Sequence, residues 1–173
     1  MTAELVDEHI SGGMTAQSFI TSVLFERTFE EGMGMVEECA RYLDGRGRDE
    51  SRELSCKAAL LYAGESMRVT TRLMQAASWL LVQRAVQEGD MSAEDAASDR
   101  YRLGAREICM GRRDEGVGEL PRKLVELLER SESLYRRIAH LDDVLFRNPP
   151  PPSLGPQTHL ARLQAAFGNN EAE

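Results

Sequence analysis

The chain has 173 residues, 42% hydrophobic and 29% charged, and its 21 Lys and Arg against 29 Asp and Glu give a formal charge of -8. That length fits one domain with tails, and the composition is too apolar for a wholly disordered chain. The acidic balance repels phosphate backbones and anionic lipid, so nucleic acid and membrane surfaces are disfavoured partners.

No apolar run approaches the roughly 20 residues that cross a bilayer. The opening MTAELVDEHISGG carries acids where a secretory leader needs a basic start and an apolar stretch, so the expectation is a cytoplasmic protein. Cys39, Cys56 and Cys109 form no CxxC pair, which implies neither a disulfide framework nor a thiolate zinc site. They are expected to be reduced and buried.

Proline is absent before Pro121, and the remaining prolines crowd between Pro149 and Pro156, leaving the middle of the chain free to be helical. Three long helical segments are predicted in an all-α, up-down three-helix bundle. In the first, about 18–43, Phe29, Met33, Val36, Ala40 and Leu43 recur at spacings of four and three. Gly32 and Gly34 each cost about 1 kcal/mol of helix propensity relative to alanine, and Gly32, beside the seam, predicts close approach of a neighbour.

The second segment, about 57–87, places Leu60, Ala63, Met67, Thr70, Met74, Ala77 and Leu81 on one seam. Tyr62, Val69, Leu73, Ala76 and Leu80 fall on an adjoining arc, so the helix needs neighbours on two sides. What remains is a stripe of Glu65, Arg68, Arg72, Gln75, Trp79 and Gln83. The third segment opens at Pro121 and repeats Leu120, Leu124, Leu127, Ser131, Leu134, Ile138, Leu141 and Leu145, with Glu126–Arg130 and Glu132–Arg136 as favourable pairs four apart. Thr70 and Ser131, which interrupt the apolar seams, read as core residues whose hydroxyls bond their own preceding turn.

Between the second and third helices, Ser92 and Asp95 form a capping box, and the charged, glycine-bearing stretch that follows shows no sustained period. The domain plan is therefore a flexible N-terminus over 1–14, a bundle over 15–146 with a mobile loop at about 99–118, and a proline-rich flexible tail over 147–173. Within that tail Leu160, Leu163 and Phe167 share a helical face as a small apolar hook.

Catalytic apparatus is missing from the sequence. The histidines are His9, His140 and His159, without HExxH or paired Glu-x-x-His, and GxxxxGK[ST] and GxSxG are absent. No enzyme activity, cofactor or metal is expected. A helical DNA-binding or sigma-like transcriptional regulator is the alternative, resting on Arg68 and Arg72 as a narrow basic stripe. Arg68, Arg72, Gln75 and Trp79 also combine residue types enriched at binding hot spots, against the competing reading that they pair within the fold.

The segments FEEGMGMVEECARYLDGRGRDESREL and YAGESMRVTTRLMQAASWLLVQRAVQEGDMS closely resemble the regulator of CtrA degradation (RcdA) family of alphaproteobacteria. The resemblance is strong from about Phe29 to Ser92 and loose over the last helix. It implies a homodimeric three-helix bundle with a flexible tail and no enzymatic activity. It further implies an adaptor for the ClpXP protease primed by a CpdR-type response regulator, working with a PopA-type cyclic-di-GMP receptor to deliver CtrA and other protein substrates, with recruitment to a cell pole. Arg68, Arg72, Gln75 and Trp79 fall within the family motif, and with Leu160, Leu163 and Phe167 they are the candidate partner-binding residues.

Overall fold

The computed structural model describes residues 22–112 and 115–147. Among these residues six α-helices form: α1 (Val23–Asp44), α2 (Arg46–Arg52), α3 (Cys56–Glu88), α4 (Ala93–Ala96), α5 (Arg106–Cys109) and α6 (Arg122–Asp142). The expected N-terminal segment over 1–14 and the tail beyond Arg147 lie outside the described residues.

The ends of the helices follow from their side chains. Ser22 and Ser55 accept hydrogen bonds from the Phe25 and Ala58 N–H groups and so cap α1 and α3. At the far end of α3, Gly89 adopts φ 81°, a left-handed conformation that closes the helix by returning its N–H to Ala85 and Val86. The Ser92 half of the capping box forms as expected, with the Asp95 N–H donating to Ser92 Oγ at 3.0 Å, while the Asp95 carboxylate accepts from the Ser92 hydroxyl at 2.7 Å. Pro121 sits one place earlier than expected, as the N-cap of α6.

The all-α class and the three long helices are as expected, but the chain path departs from a simple up-down order. Glu26 near the start of α1 pairs with Arg84 near the end of α3, so these two helices are antiparallel. Arg137 meets Glu31 at 2.7 Å and Arg130 meets Glu38 at 2.9 Å, which makes α6 antiparallel to α1 as well. Helix α6 therefore runs parallel to α3, as Arg72 to the Leu128 carbonyl and Trp79 to Asp142 also show. Parallel neighbours need a long crossover, and residues 89–112 begin it by running back beside α3.

Within the stretch expected to be a loop, residues 99–112 pack back onto the bundle. Leu103 and Cys109 are buried in the core, and the 106–109 stretch forms α5. The rest of the core joins Phe25, Met35, Cys39 and Tyr42 of α1 to Val69, Leu73 and Leu80 of α3 and to Leu124, Leu127, Leu134 and Ile138 of α6. Each such side chain contributes about 1.5–3 kcal/mol on full burial.

The α6 seam lies inside throughout its helix, Ser131 included. The α1 seam is displaced by one residue: Phe25, Thr28, Gly32, Met35, Cys39 and Tyr42 face inward, while Phe29, Met33 and Val36 flank them. Adjacent positions differ by only about 100° around a helix, so an apolar row beside the true centre carries nearly the same signal. Gly32 does mark a close approach: a Cβ there would lie 2.7 Å from Leu80 Cδ1. Cys56 is exposed, contrary to expectation, whereas Cys39 and Cys109 are buried.

Candidate interaction face

Helix α3 has 33 residues, about 50 Å at 1.5 Å per residue, and its two sides have different surroundings. The inner side buries Tyr62, Val69, Leu73, Ala76 and Leu80 together with Glu65, Arg72, Trp79 and Gln83. The seam expected to be core lies almost diametrically opposite. Leu60, Met67, Met74 and Leu81 are 77%, 71%, 60% and 53% exposed, and Ala63 and Thr70 are exposed beside them. Thr70 is thus a surface residue, although its hydroxyl does donate to the Ser66 carbonyl at 2.8 Å.

No charged side chain occupies an exposed position of α3 between Lys57 and Glu88. The large residues recur every seven positions, with Ala63, Gly64, Thr70, Thr71, Ala77 and Ser78 between them. Both threonine hydroxyls donate into their own helix, Thr71 to the Met67 carbonyl at 2.8 Å, so the strip offers chiefly methyl and thioether groups. About the Thr70–Thr71 midpoint the pattern reads alike in both directions: Met67 mirrors Met74, Gly64 mirrors Ala77, Ala63 mirrors Ser78 and Leu60 mirrors Leu81. A two-fold axis at that point would set large against large and small against small on an antiparallel pair of helices.

The sequence-predicted stripe is used inside the chain. Arg72 and Trp79 are each 1% exposed, and Arg68 and Gln75 are half-buried. Arg72 Nε donates to the Cys109 carbonyl at 2.6 Å and Nη1 to the Leu128 carbonyl at 3.1 Å, with Glu132 at 3.8 Å. Trp79 Nε1 donates to Asp142 Oδ1 at 3.0 Å, Gln75 Oε1 accepts from the Gly104 N–H at 3.0 Å, and Arg68 reaches the Gly111 and Arg112 carbonyls. Glu65, 1% exposed, has Arg68 at 3.5 Å. In the single chain the polar atoms of Arg68, Arg72, Gln75 and Trp79, the candidate partner-binding residues of the stripe, bond to the crossover and to α6. The basic stripe that would have touched DNA phosphates is lost in the same way. Leu160, Leu163 and Phe167 lie outside the described residues.

Asp142, fully buried, organises the end of this network. Burial pushes its carboxyl up, but hydrogen bonds from Arg102, Trp79 and the Leu103 N–H, with the Arg102 charge, outweigh that and hold it below the ordinary aspartate range. Arg106 bridges Asp142 at 3.2 Å and Asp143 at 2.9 Å. Burial raises the Cys109 and Cys39 thiols, the opposite of what an activated nucleophile requires. Among the described residues no three His, Cys, Asp or Glu side chains converge as a metal site would need. An open hollow of about 460 Å³ beside α4 is lined by Asp90, Ser92, Asp95, Ser98 and Tyr101, and Ser92 and Asp95 already serve the helix cap. No described helix is long and apolar enough to cross a membrane.

The signal that would have separated the two apolar faces of α3 was the absence of charge. The outer strip is flanked by no basic or acidic rim, whereas the inner stripe carries the ions that the crossover satisfies.

Comparison with known proteins adds a relationship to this geometry. A family model described as "Protein of unknown function (DUF1465)" matches residues 16–167. No curated protein matches the chain. Among solved structures, the crystal structure of RcdA from Caulobacter crescentus CB15 is similar at 54% sequence identity and a TM-score of 0.60, covering 73% of this chain and 93% of that one.

Proposed function

The chain belongs to the RcdA family, that of the regulator of CtrA degradation, and from this membership we propose that it is a non-enzymatic adaptor for regulated proteolysis. It joins ClpXP primed by a CpdR-type response regulator, engages a PopA-type cyclic-di-GMP receptor, and delivers CtrA and other protein substrates in the cytoplasm at a cell pole. The observation that carries the reading is the long charge-free outer face of α3, a surface built for another protein and not for a small molecule. Two copies pair through that face as an antiparallel, isologous dimer with its axis at Thr70–Thr71. A dimer presents every other surface twice, which raises the effective concentration of a substrate at the protease without new contacts.

Reconstituted degradation tests the proposal. CtrA, ClpXP, the response regulator, the receptor, cyclic di-GMP and ATP are combined with and without the chain. Loss of CtrA should speed up several-fold when the chain is added. An unchanged rate, together with no retention of the chain by immobilised primed protease, refutes the adaptor reading.

A further inference from the structure

Residues 98–112 are held to the groove between α3 and α6 by their main chain at positions between 103 and 112 and by the Arg102 and Arg106 side chains, which pair with Asp142 and Asp143. Arg68 Nη1 donates to the Gly111 carbonyl at 3.2 Å and the Arg112 carbonyl at 2.9 Å, and Arg72 Nε to the Cys109 carbonyl at 2.6 Å. Gly104 gives its N–H to Gln75 Oε1 at 3.0 Å and receives the Tyr135 hydroxyl on its carbonyl at 2.6 Å. At the far end Asp142 takes Arg102 Nε at 3.0 Å and the Leu103 N–H at 3.4 Å. Only Leu103 and Cys109 of this segment enter the core cluster as buried side chains.

Several features oppose its closure. Ala105 sits at φ 55°, the single non-glycine residue with positive φ among the described residues, and a side chain there is strained. Closure also takes Arg72 out of water, leaving its Nη2 with a 3.8 Å ion pair to Glu132 and no hydrogen bond among the described residues. Ile108 and Met110 stay 57% and 45% exposed, so the segment gives up little of its apolar surface in return.

We propose that 98–112 is a detachable strap over a peptide-binding groove. It opens as a unit while α1, α3 and α6 stay packed, and the bared Arg68, Arg72, Gln75 and Tyr135 grip a segment of a partner protein, coiled in one helical turn as 106–109 is, by its carbonyls and N–H groups, with a small apolar side chain in the place of Cys109 and a basic side chain on Asp142 and Asp143. Because the rest of the groove reads main chain, it tolerates varied sequences at the other gripped positions. This inference is independent of the adaptor reading, and its test needs no protease.

The three native cysteines report the opening. Cys56 is exposed, Cys109 is buried in the strap, and Cys39 is buried on α1. In the full chain with a thiol reagent, Cys109 should react at least tenfold faster than Cys39. Asp142→Asn, which weakens the strap's anchor, should speed Cys109 at least tenfold more and leave Cys39 within about twofold. Gln75→Ala, placed on a half-buried helical position, should do the same more weakly and serves if Asp142→Asn does not fold. A fluorescent synthetic peptide of residues 98–112 carrying Cys109→Ser should bind at least tenfold more tightly to a chain loosened on the strap itself by Arg102→Ala, which leaves the groove residues intact, than to the parent. Equal labelling rates for Cys109 and Cys39 in every chain would show that the strap opens only with global unfolding, and selective Cys109 labelling without peptide binding would remove the groove. Either result overturns the proposal.

Discussion

Met67→Glu isolates the dimer from the fold. Met67 is 71% exposed in the single chain, and the two-fold axis would set it against Met74, itself 60% exposed, of a second copy. Burying a whole methionine side chain is worth about 1.5–3 kcal/mol, so the exposed share loses about 1–2 kcal/mol per copy, and an isologous interface counts it twice. A carboxylate facing a thioether without a hydrogen-bond partner adds a further penalty of a kilocalorie or more per copy. The sum is about 4 kcal/mol or more, which is about a thousandfold in the dimer dissociation constant. The fold itself should hardly respond, because Glu and Met have similar helix propensities and the side chain faces water, leaving the isolated chain within about 0.5 kcal/mol.

Two measurements check this together. Sedimentation velocity over a hundredfold concentration range should show a dimer for the parent and a monomer for the variant. The parent's thermal midpoint should rise with concentration while the variant's stays constant. A parent that sediments as a monomer with a concentration-independent midpoint would refute the pairing. Loss of helical signal in the variant at all concentrations would instead mean that this face is part of the core.

Arg72→Glu should unfold the chain, because it reverses a buried charge that serves two backbone carbonyls; denaturant titration should register a loss of about 3–5 kcal/mol, and an unchanged midpoint would return Arg72 to the surface. The two α1 glycines should part company. Gly34→Ala, with nothing within 4 Å of the new Cβ, should stabilise the chain by up to about 1 kcal/mol, whereas Gly32→Ala must displace the buried Leu80 and should destabilise it by about 1–3 kcal/mol, both read from chemical unfolding. Acid should weaken the fold through Asp142 and Glu38, whose carboxyls are both held low, the latter first by the Lys123 hydrogen bond. A group with a depressed folded pKa gives stability that is present above its unfolded value, near 4 for these carboxyls, and lost as pH falls through the folded value. The unfolding midpoint should therefore drop below about pH 4, and Asp142→Asn should flatten that dependence.

Much of this molecule was legible in its residues. The α6 seam, the Ser92 half of the capping box, the close approach at Gly32 and the all-helical class follow from spacing and local hydrogen bonding, which act within a few residues. The family was legible as well, from two continuous segments.

Tertiary structure decided which side of α3 turns inward. Periodicity groups Leu60 with Met67 and Val69 with Leu73, but it carries no information on whether a given apolar row meets its own chain or another. The polar stripe could be buried only because carbonyls from Cys109, Gly111 and Arg112, some 40 residues along the chain, arrive beside Arg68 and Arg72. That arrival depends on α6 running parallel to α3, which forces the crossover back along the groove. An ion's preference for water is overturned by partners delivered from afar, and no local pattern records their delivery.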